Sequence, residues 1–326
     1  MSANILSAGF ATTIQDMGRP GYYHLGIPMG GAMDRFALRC ANLLVGNSED
    51  AAGLECVFTG PEIEFTSDTV IAVTGANLPP KRDGKVMKTW TAIPFKAGQI
   101  LSFDFLKAGA RAYVAIAGGI DTPPILDSRS TYGIGALGGI EGRAVQTGDA
   151  LPIGTATLPV HLDTRSIPAT MRRSVKTPTA LRVVPGLYWH RLTNESGDQF
   201  FQDRWKVASE ADRMGYRFGG GSPLTFVERE PPFGAGSEPS NITDACYPYG
   251  SIQVPGGTEP IILHRDAVSG GGYCMVGTVI SADMDLIGQL VPGDEVNFVK
   301  VNMHTALKAR RSRAEMLDTV RRHLNG

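Results

Sequence analysis

The chain has 326 residues, 42% of them apolar, and a formal net charge of −1. That length suits two domains or one large β-rich domain, with ample apolar material for a core. A near-neutral balance offers no basic field for nucleic acid, and no apolar run is long enough for a membrane span.

The N-terminus, MSANILSAGFATTIQD, lacks the charged start and long apolar stretch of a secretory leader. Cys40, Cys56, Cys246 and Cys274 show no C-x-x-C spacing, and the six histidines show no H-E-x-x-H. The expectation is a cytoplasmic protein with reduced thiols and no metal. Forty glycines and 21 prolines point to short strands joined by many turns.

Residues 10–31 are too rich in Gly and Pro to predict a regular element. Thr12, Thr13, Gln15, Asp16 and Arg19 there read either as a polar lining or as an extended segment with satisfied side chains. Asp34 is placed to cap a helix through about Val45, with Ala37, Leu38, Ala41 and Leu44 on one face and Gly46 as its stop. Strands are predicted over Asp68–Val73, Gln99–Phe105 and Arg111–Ala117, the last apolar enough to be buried on both faces. Ser128 to Tyr132 forms a polar knot between glycine-rich turns, and Gly148-Asp149 turns into a short strand.

Gly154 to Thr179 has no periodicity and reads as a linker. Beyond it, strands are predicted over Leu181–Pro185, Trp205–Ala208, Pro260–Leu263, Met275–Ile280 and Glu295–Val301. Ser209, Asp212, Arg213 and Met214 read as a turn before Gly219 to Gly221. The tail from His304 to Leu324 reads as a helix whose Lys and Arg residues form a solvated face. Each half ends in a glycine cluster, a Gly-Asp turn (Gly148-Asp149, Gly293-Asp294) and a strand, which suggests a duplicated β-barrel unit. The predicted division is 1–155, 180–303 and a helical tail, 304–326.

The stretch from Pro239 to Gly277 is densest in groups that bind small polar molecules. Ser240, Asn241 and Asp244 lie in one turn-like run, and an apolar strand delivers His264-Arg265-Asp266 onto Gly270 to Gly272 and Tyr273. Polar side chains at a strand end, beside bare backbone, suit a site. Ordinary β-turns capped by Asn and Asp explain the same residues.

Other motifs carry less. Gly133-Ile-Gly135-Ala-Leu-Gly138 matches G-x-G-x-x-G but opens no amphipathic helix, so it is not read as a dinucleotide site. Val86-Met87-Lys88 holds the Met-Lys pair of a biotin attachment site without its second Met or a carrier-like surround. No G-x-S-x-G elbow or Ser-Ser-Lys set is present, so a hydrolase with its own nucleophile is not supported.

TTIQDMGRPGYYHLGIPMGGAMD, LRCANLLVGN and AAGLE resemble the opening of the KipA-like proteins, and RAYVAIAGGID, SRSTYG, GGIEGRAVQTGD, DRMGYRF and GSIQVPGGTEPIIL continue the likeness over residues 9–300. These are biotin-dependent carboxyltransferase subunits related to the C component of 5-oxoprolinase and to part of the urea carboxylase carboxyltransferase domain. The resemblance implies a mainly β fold, a duplicated cyclophilin-like β-barrel. It implies carboxybiotin on a separate carrier as cofactor. It also implies three partners: a KipI-like protein, a biotin carboxylase and a biotin carrier protein. Where oxoprolinase-type members read Asp-x-x-Thr-Thr-Gly-Gly-Tyr-Pro, this chain has Asp266-Ala-Val-Ser-Gly-Gly-Gly-Tyr-Cys. PSNITD and IGQLVPGD are closer to the urea carboxylase type.

Carboxyl transfer to an amide nitrogen needs acceptors for the substrate N–H groups and donors for its carbonyl. On the resemblance, Asp266, Asp244 and Asn241 are expected to be catalytic by orienting those N–H groups. Arg213, Gly271, Gly272 and Tyr273 would bind substrate, and Arg129, Ser130 and Thr131 the biotin ring. The acceptor is expected to be urea or a small amide or lactam. The alternatives are the C component of an ATP-dependent 5-oxoprolinase and a regulatory partner of a KipI-like kinase inhibitor.

Overall fold

The computed structural model describes residues 2–156 and 165–325. They fall into two compact units. The first comprises Met1–Arg19, Gly30–Arg173 and Glu315–Gly326; the second comprises Pro20–Met29 and Ser174–Ala314. Of the stretch read as a linker, 157–164 lies outside the described residues and 165–173 is counted with the first unit.

The chain is mainly β, as expected. In the first unit the strands are shared between two sheets. One runs Ala150–Pro152, Ser2–Ser7, Glu62–Phe65, Ile100–Phe103, Pro80–Arg82, Lys85–Val86; the other runs Ala11–Gln15, Gly53–Val57, Ala108–Ile116, Thr69–Asn77, Ala92–Phe95. Ile5, Ile63 and Phe65 from one sheet meet Leu54, Val73 and Val114 from the other in a single core. The sequence predicts no regular element in residues 10–31, yet Ala11–Gln15 is a strand paired along Gly53–Val57. Its alternating burial outweighs the glycines and prolines that flank it.

Ala108–Ile116 shows the period of two plainly. Ala112, Val114 and Ile116 face the core between the sheets, while Tyr113 and Ala115 face the helix α1 (Arg35–Val45). The strand is thus buried on both sides. Helix α1 begins as its sequence predicts: the Asp34 side chain accepts from Ala37 N. It ends at Gly46, whose φ of 81° lies in the left-handed region that favours glycine. Buried Glu55 accepts from Met33 N and from the Tyr113 hydroxyl, and that hydroxyl accepts from Asp34 N. Burial first, then the Glu55 charge, push the Tyr113 phenol well up, so it remains a donor.

The second unit holds a closed barrel in the order Thr179–Pro185, Met275–Val279, Ser251–Gln253, Ile261–Leu263, Gly215–Gly219, Trp205–Ala211, Glu295–Lys300. Closure comes from parallel pairing of its first and last strands. A two-stranded ribbon, Asn241–Cys246 with Gly270–Tyr273, stands apart from it. Helix α2 (Asn194–Gln202) is capped by Thr193 and stacks Phe200 on Phe298, ring centroids 4.7 Å apart. Short α3 covers Met284–Ile287; α4 covers Met303–Asn325, and its residues from Glu315 on count with the first unit. Leu317 and Val320 of α4 are buried, whereas Lys308, Arg310, Arg311 and Arg322 are exposed. No helix among the described residues is long and apolar enough to cross a membrane.

The echo between the halves has a physical form. Asp149 accepts from Gln146 N and Asp294 from Val291 N, each three residues back, just before the final strand of its sheet. Asp149 also takes two bonds from Arg143, at 2.8 and 3.0 Å. The Arg143 guanidinium holds the Asp149 carboxyl below the ordinary carboxylate range, and the Gln146 N–H adds to this. The unfolded chain therefore takes up this proton at higher pH than the folded one. The contribution is present above the ordinary carboxylate value and is lost as pH falls through the lowered folded value. Asp149→Asn is expected to flatten the acid limb of stability, measured by urea unfolding at stepped pH. An unchanged limb would remove the pair from the acid response.

Candidate active site

The apolar strand Ile261–Leu263 runs into Asp266, as the sequence suggests. The Asp266 carboxylate pairs with a cation rather than with the glycine backbone. It takes two bonds from Arg213, Nε to Oδ2 at 2.7 Å and Nη2 to Oδ1 at 2.9 Å, and Asp266 N donates to the Arg213 carbonyl at 2.9 Å. Arg213 sits in the turn between Trp205–Ala211 and Gly215–Gly219, beside the strand that leads to Asp266. Their side chains are 16% and 8% exposed, so the pair is a largely desolvated fork-to-fork contact. The turn expected to begin at Ser209 begins later, because the strand continues to Ala211.

A cavity of about 550 Å³ opens beside this pair. The neighbours of the pair, Asp212, Met214, Ala267 and Val268, line it, with Gln253 and Leu263 among the other walls. Asp212 Oδ1 is held by Met214 N and Gly215 N. The wall mixes apolar and polar groups, which suits a small polar organic ligand.

Ser240 lies in a turn, as its sequence suggests, but Asn241 and Asp244 do not. Instead Asn241–Cys246 is a strand, and its partner is the glycine strand Gly270–Tyr273. Local sequence hides this pairing because Gly-Gly-Gly carries no strand signal. The Tyr247 hydroxyl locks the ribbon: it accepts from Tyr273 N at 2.7 Å and donates to Tyr273 O at 2.9 Å. A Cβ on Gly271 would come to 3.0 Å from the Tyr247 ring, so a side chain here would need the ring to shift by a few tenths of an ångström. Asn241 Nδ2 donates to Ala235 O, while its buried Oδ1 has no hydrogen-bond partner. Asp244 and Tyr273 are exposed on the ribbon, and Gly272 lies in its glycine strand.

Arg129, Ser130 and Thr131 belong to the first unit. The polar knot around them is organised by Asp16, which accepts from Gly18 N, Ser128 Oγ, Ser130 Oγ and Arg129 N at 2.5–2.7 Å. Ser130 is wholly buried and Thr131 nearly so. Arg19 donates to the Ser130 carbonyl. Only the Arg129 side chain reaches solvent, held by Asp121 at 2.6 Å. Two further residues escape any reading of the sequence: Arg191 and Arg229, whose guanidinium groups gather near Asn241 and Cys274. Among the described residues, no three His, Cys, Asp or Glu side chains group as metal ligands.

A β protein of two units, with a paired Arg and Asp beside a barrel cleft, is the class that fold and side chains define. The family model for the carboxyltransferase domain, subdomain A and B, matches residues 25–300, and the chain belongs to that family. It is 37% identical to the C component of 5-oxoprolinase from Escherichia coli, over 94% of this chain and 93% of that one. It is 34% identical to the urea amidolyase of Saccharomyces cerevisiae, over 98% of this chain and 17% of that one. The crystal structure of the Kluyveromyces lactis urea carboxylase superposes with a TM-score of 0.91 at 33% identity, covering 98% of this chain and 29% of that one. The chain therefore spans nearly all of one kind of relative and a minor part of the other.

Proposed function

We propose that this chain is the carboxyltransferase component of a biotin-dependent carboxylase, moving CO2 from carboxybiotin to the nitrogen of urea or of a small amide or lactam. The observation that carries the reading is the family match over residues 25–300. Carboxybiotin would supply the CO2 and leave a ureido nitrogen basic enough to take the substrate proton. Of the residues assigned to that ring, Arg129 is exposed enough to touch it. Ser130 and Thr131 are buried and suit a supporting role, fixing the loop that carries Arg129.

In the second unit, the unpartnered Asn241 Oδ1 is an acceptor suited to a substrate N–H, and Asp244 on the same strand is a second. Both would hold the nitrogen that is to be carboxylated. The Arg213 and Asp266 pair would fix the cleft wall and present guanidinium N–H groups toward developing charge on the amide oxygen. The need for a KipI-like partner is supported by relatives in which this region is a fraction of a much longer chain.

A second reading, the C component of an ATP-dependent 5-oxoprolinase, is favoured by the two bacterial relatives of that name, 93% and 97% of whose lengths the chain covers. One experiment tests both. The purified chain alone is expected to show no ATP turnover and no amide cleavage. Adding the KipI-like protein, a biotin carboxylase and a loaded carrier is expected to give ATP turnover that depends on urea or on 5-oxoproline. Turnover by the chain alone would refute the carboxyltransferase role.

A further inference from the structure

Three partly buried arginines of the second unit are each matched to a carboxylate. Arg213 has Asp266, Arg182 has Asp283, and Arg313 has Asp285. Arg191 breaks this pattern. It ends the short 3-10 turn Trp189–Arg191 and is 7% exposed. Its Nη2 donates only to the carbonyls of Val227, at 2.8 Å, and Pro239, at 3.5 Å, and its buried Nε has no partner. Arg229 donates to the Asn241 carbonyl at 2.5 Å. Among the described residues neither guanidinium has a carboxylate within ion-pair distance.

The two charges converge. Both charges act on the Cys274 thiol against the effect of burial, and Cys274 N donates to the Ser240 carbonyl at 2.9 Å. Burial pushes the Cys274 thiol up, so it stays neutral and provides no counter-charge. A buried guanidinium left with neutral partners is costly, and an arriving carboxylate relieves that cost. A cavity of about 250 Å³ adjoins the group, lined by Arg229, Ser237 and Pro239. Glu228 and Glu238 border it too, but Glu238 is turned to Ser240, at 3.5 Å from N and 3.4 Å from Oγ. Asn241 Oδ1, buried without a partner, adds an acceptor to the two cations.

We infer that Arg191 and Arg229, grouped around Asn241 and Cys274, form a binding site for a small carboxylate that carries an N–H close by. The guanidinium groups take the carboxylate, and Asn241 Oδ1 takes the N–H. Two sources share this chemistry: an acceptor that enters with its own carboxylate, such as a lactam acid, and the N-carboxylated product. The assignment rests on the proposed carboxyltransferase role for its purpose, not for its binding chemistry.

The test is calorimetric titration of the full chain with three probes. These are 5-oxoproline, 2-pyrrolidinone (the same lactam without the carboxylate) and malonamate, a stable mimic of carboxylated urea. At least one carboxylate is expected to bind about tenfold or more tightly than 2-pyrrolidinone, and Arg229→Gln to remove that advantage with no change in melting temperature. Arg229→Lys is expected to restore part of it. Preference for 5-oxoproline assigns the site to the acceptor, and preference for malonamate assigns it to the product. Equal binding of the neutral lactam, no carboxylate binding, or an indifferent Arg229→Gln overturns the inference. If no carboxylate binds while the chain still supports carboxyl transfer with its partners, the site falls and the proposed function stands. Binding without transfer gives the reverse.

Discussion

Asp16→Ala is expected to lower the unfolding free energy of the first unit by about 3–4 kcal/mol, at the upper end of single substitutions. The carboxylate is 7% exposed and receives four hydrogen bonds. Two come from backbone N–H groups, of Gly18 and Arg129, and two from the hydroxyls of Ser128 and Ser130. A methyl leaves four donors in a site that water does not reach, and each orphaned donor costs about 1–3 kcal/mol before relaxation. Asp16→Asn tests the charge separately. It keeps one oxygen for the hydroxyls but turns an NH2 group toward Arg129 N. Denaturant unfolding measures the loss, and hydrogen exchange at residues 128–131 is expected to rise with it. A loss below about 1 kcal/mol would mean that the loop is held by its other contacts.

How much of this is legible in the sequence depends on how local each cause is. The start and stop of α1 lie within single residues, Asp34 and Gly46, and both are visible in sequence. The two-faced burial of Ala108–Ile116 follows from its own composition. The role of Asp16 does not, because its partners Ser128, Arg129 and Ser130 lie more than 110 positions away. Residues 10–31 and 241–244 mislead for a related reason. Ala11–Gln15 and Asn241–Cys246 become strands only by pairing with Gly53–Val57 and Gly270–Tyr273, and the second partner is nearly all glycine. Asp266 stands out in sequence as the end of an apolar strand, but its partner is not the glycine backbone. The cation that reaches it, Arg213, lies on the next strand connection, 53 residues earlier. Arg191 and Arg229 give no signal at all. Their interest lies in the carboxylates they lack, which no linear pattern records.

Breaking the pair at Asp266 should have the larger functional effect. Asp266→Asn keeps the size of the side chain but sets an NH2 group against the Arg213 fork, leaving a mostly buried guanidinium short of its counter-charge. A loss of about 2–4 kcal/mol in the stability of the second unit is expected, since removing one partner of a buried pair leaves the other uncompensated. In the assembled enzyme the rate is expected to fall on the order of a hundredfold, the equivalent of about 2–3 kcal/mol at the transition state. Stability loss alone lowers the amount of folded enzyme, so the rate must be expressed per folded molecule. The double variant Arg213→Met/Asp266→Leu separates the causes. Replacing a buried ion pair by apolar groups of similar volume commonly restores stability. If the double variant melts like the parent yet stays a hundredfold slow, the pair acts on the substrate through its guanidinium N–H groups. If it regains both stability and rate, the pair only braces the cleft wall, and the chemistry belongs to Asn241, Asp244 and the cations around Cys274.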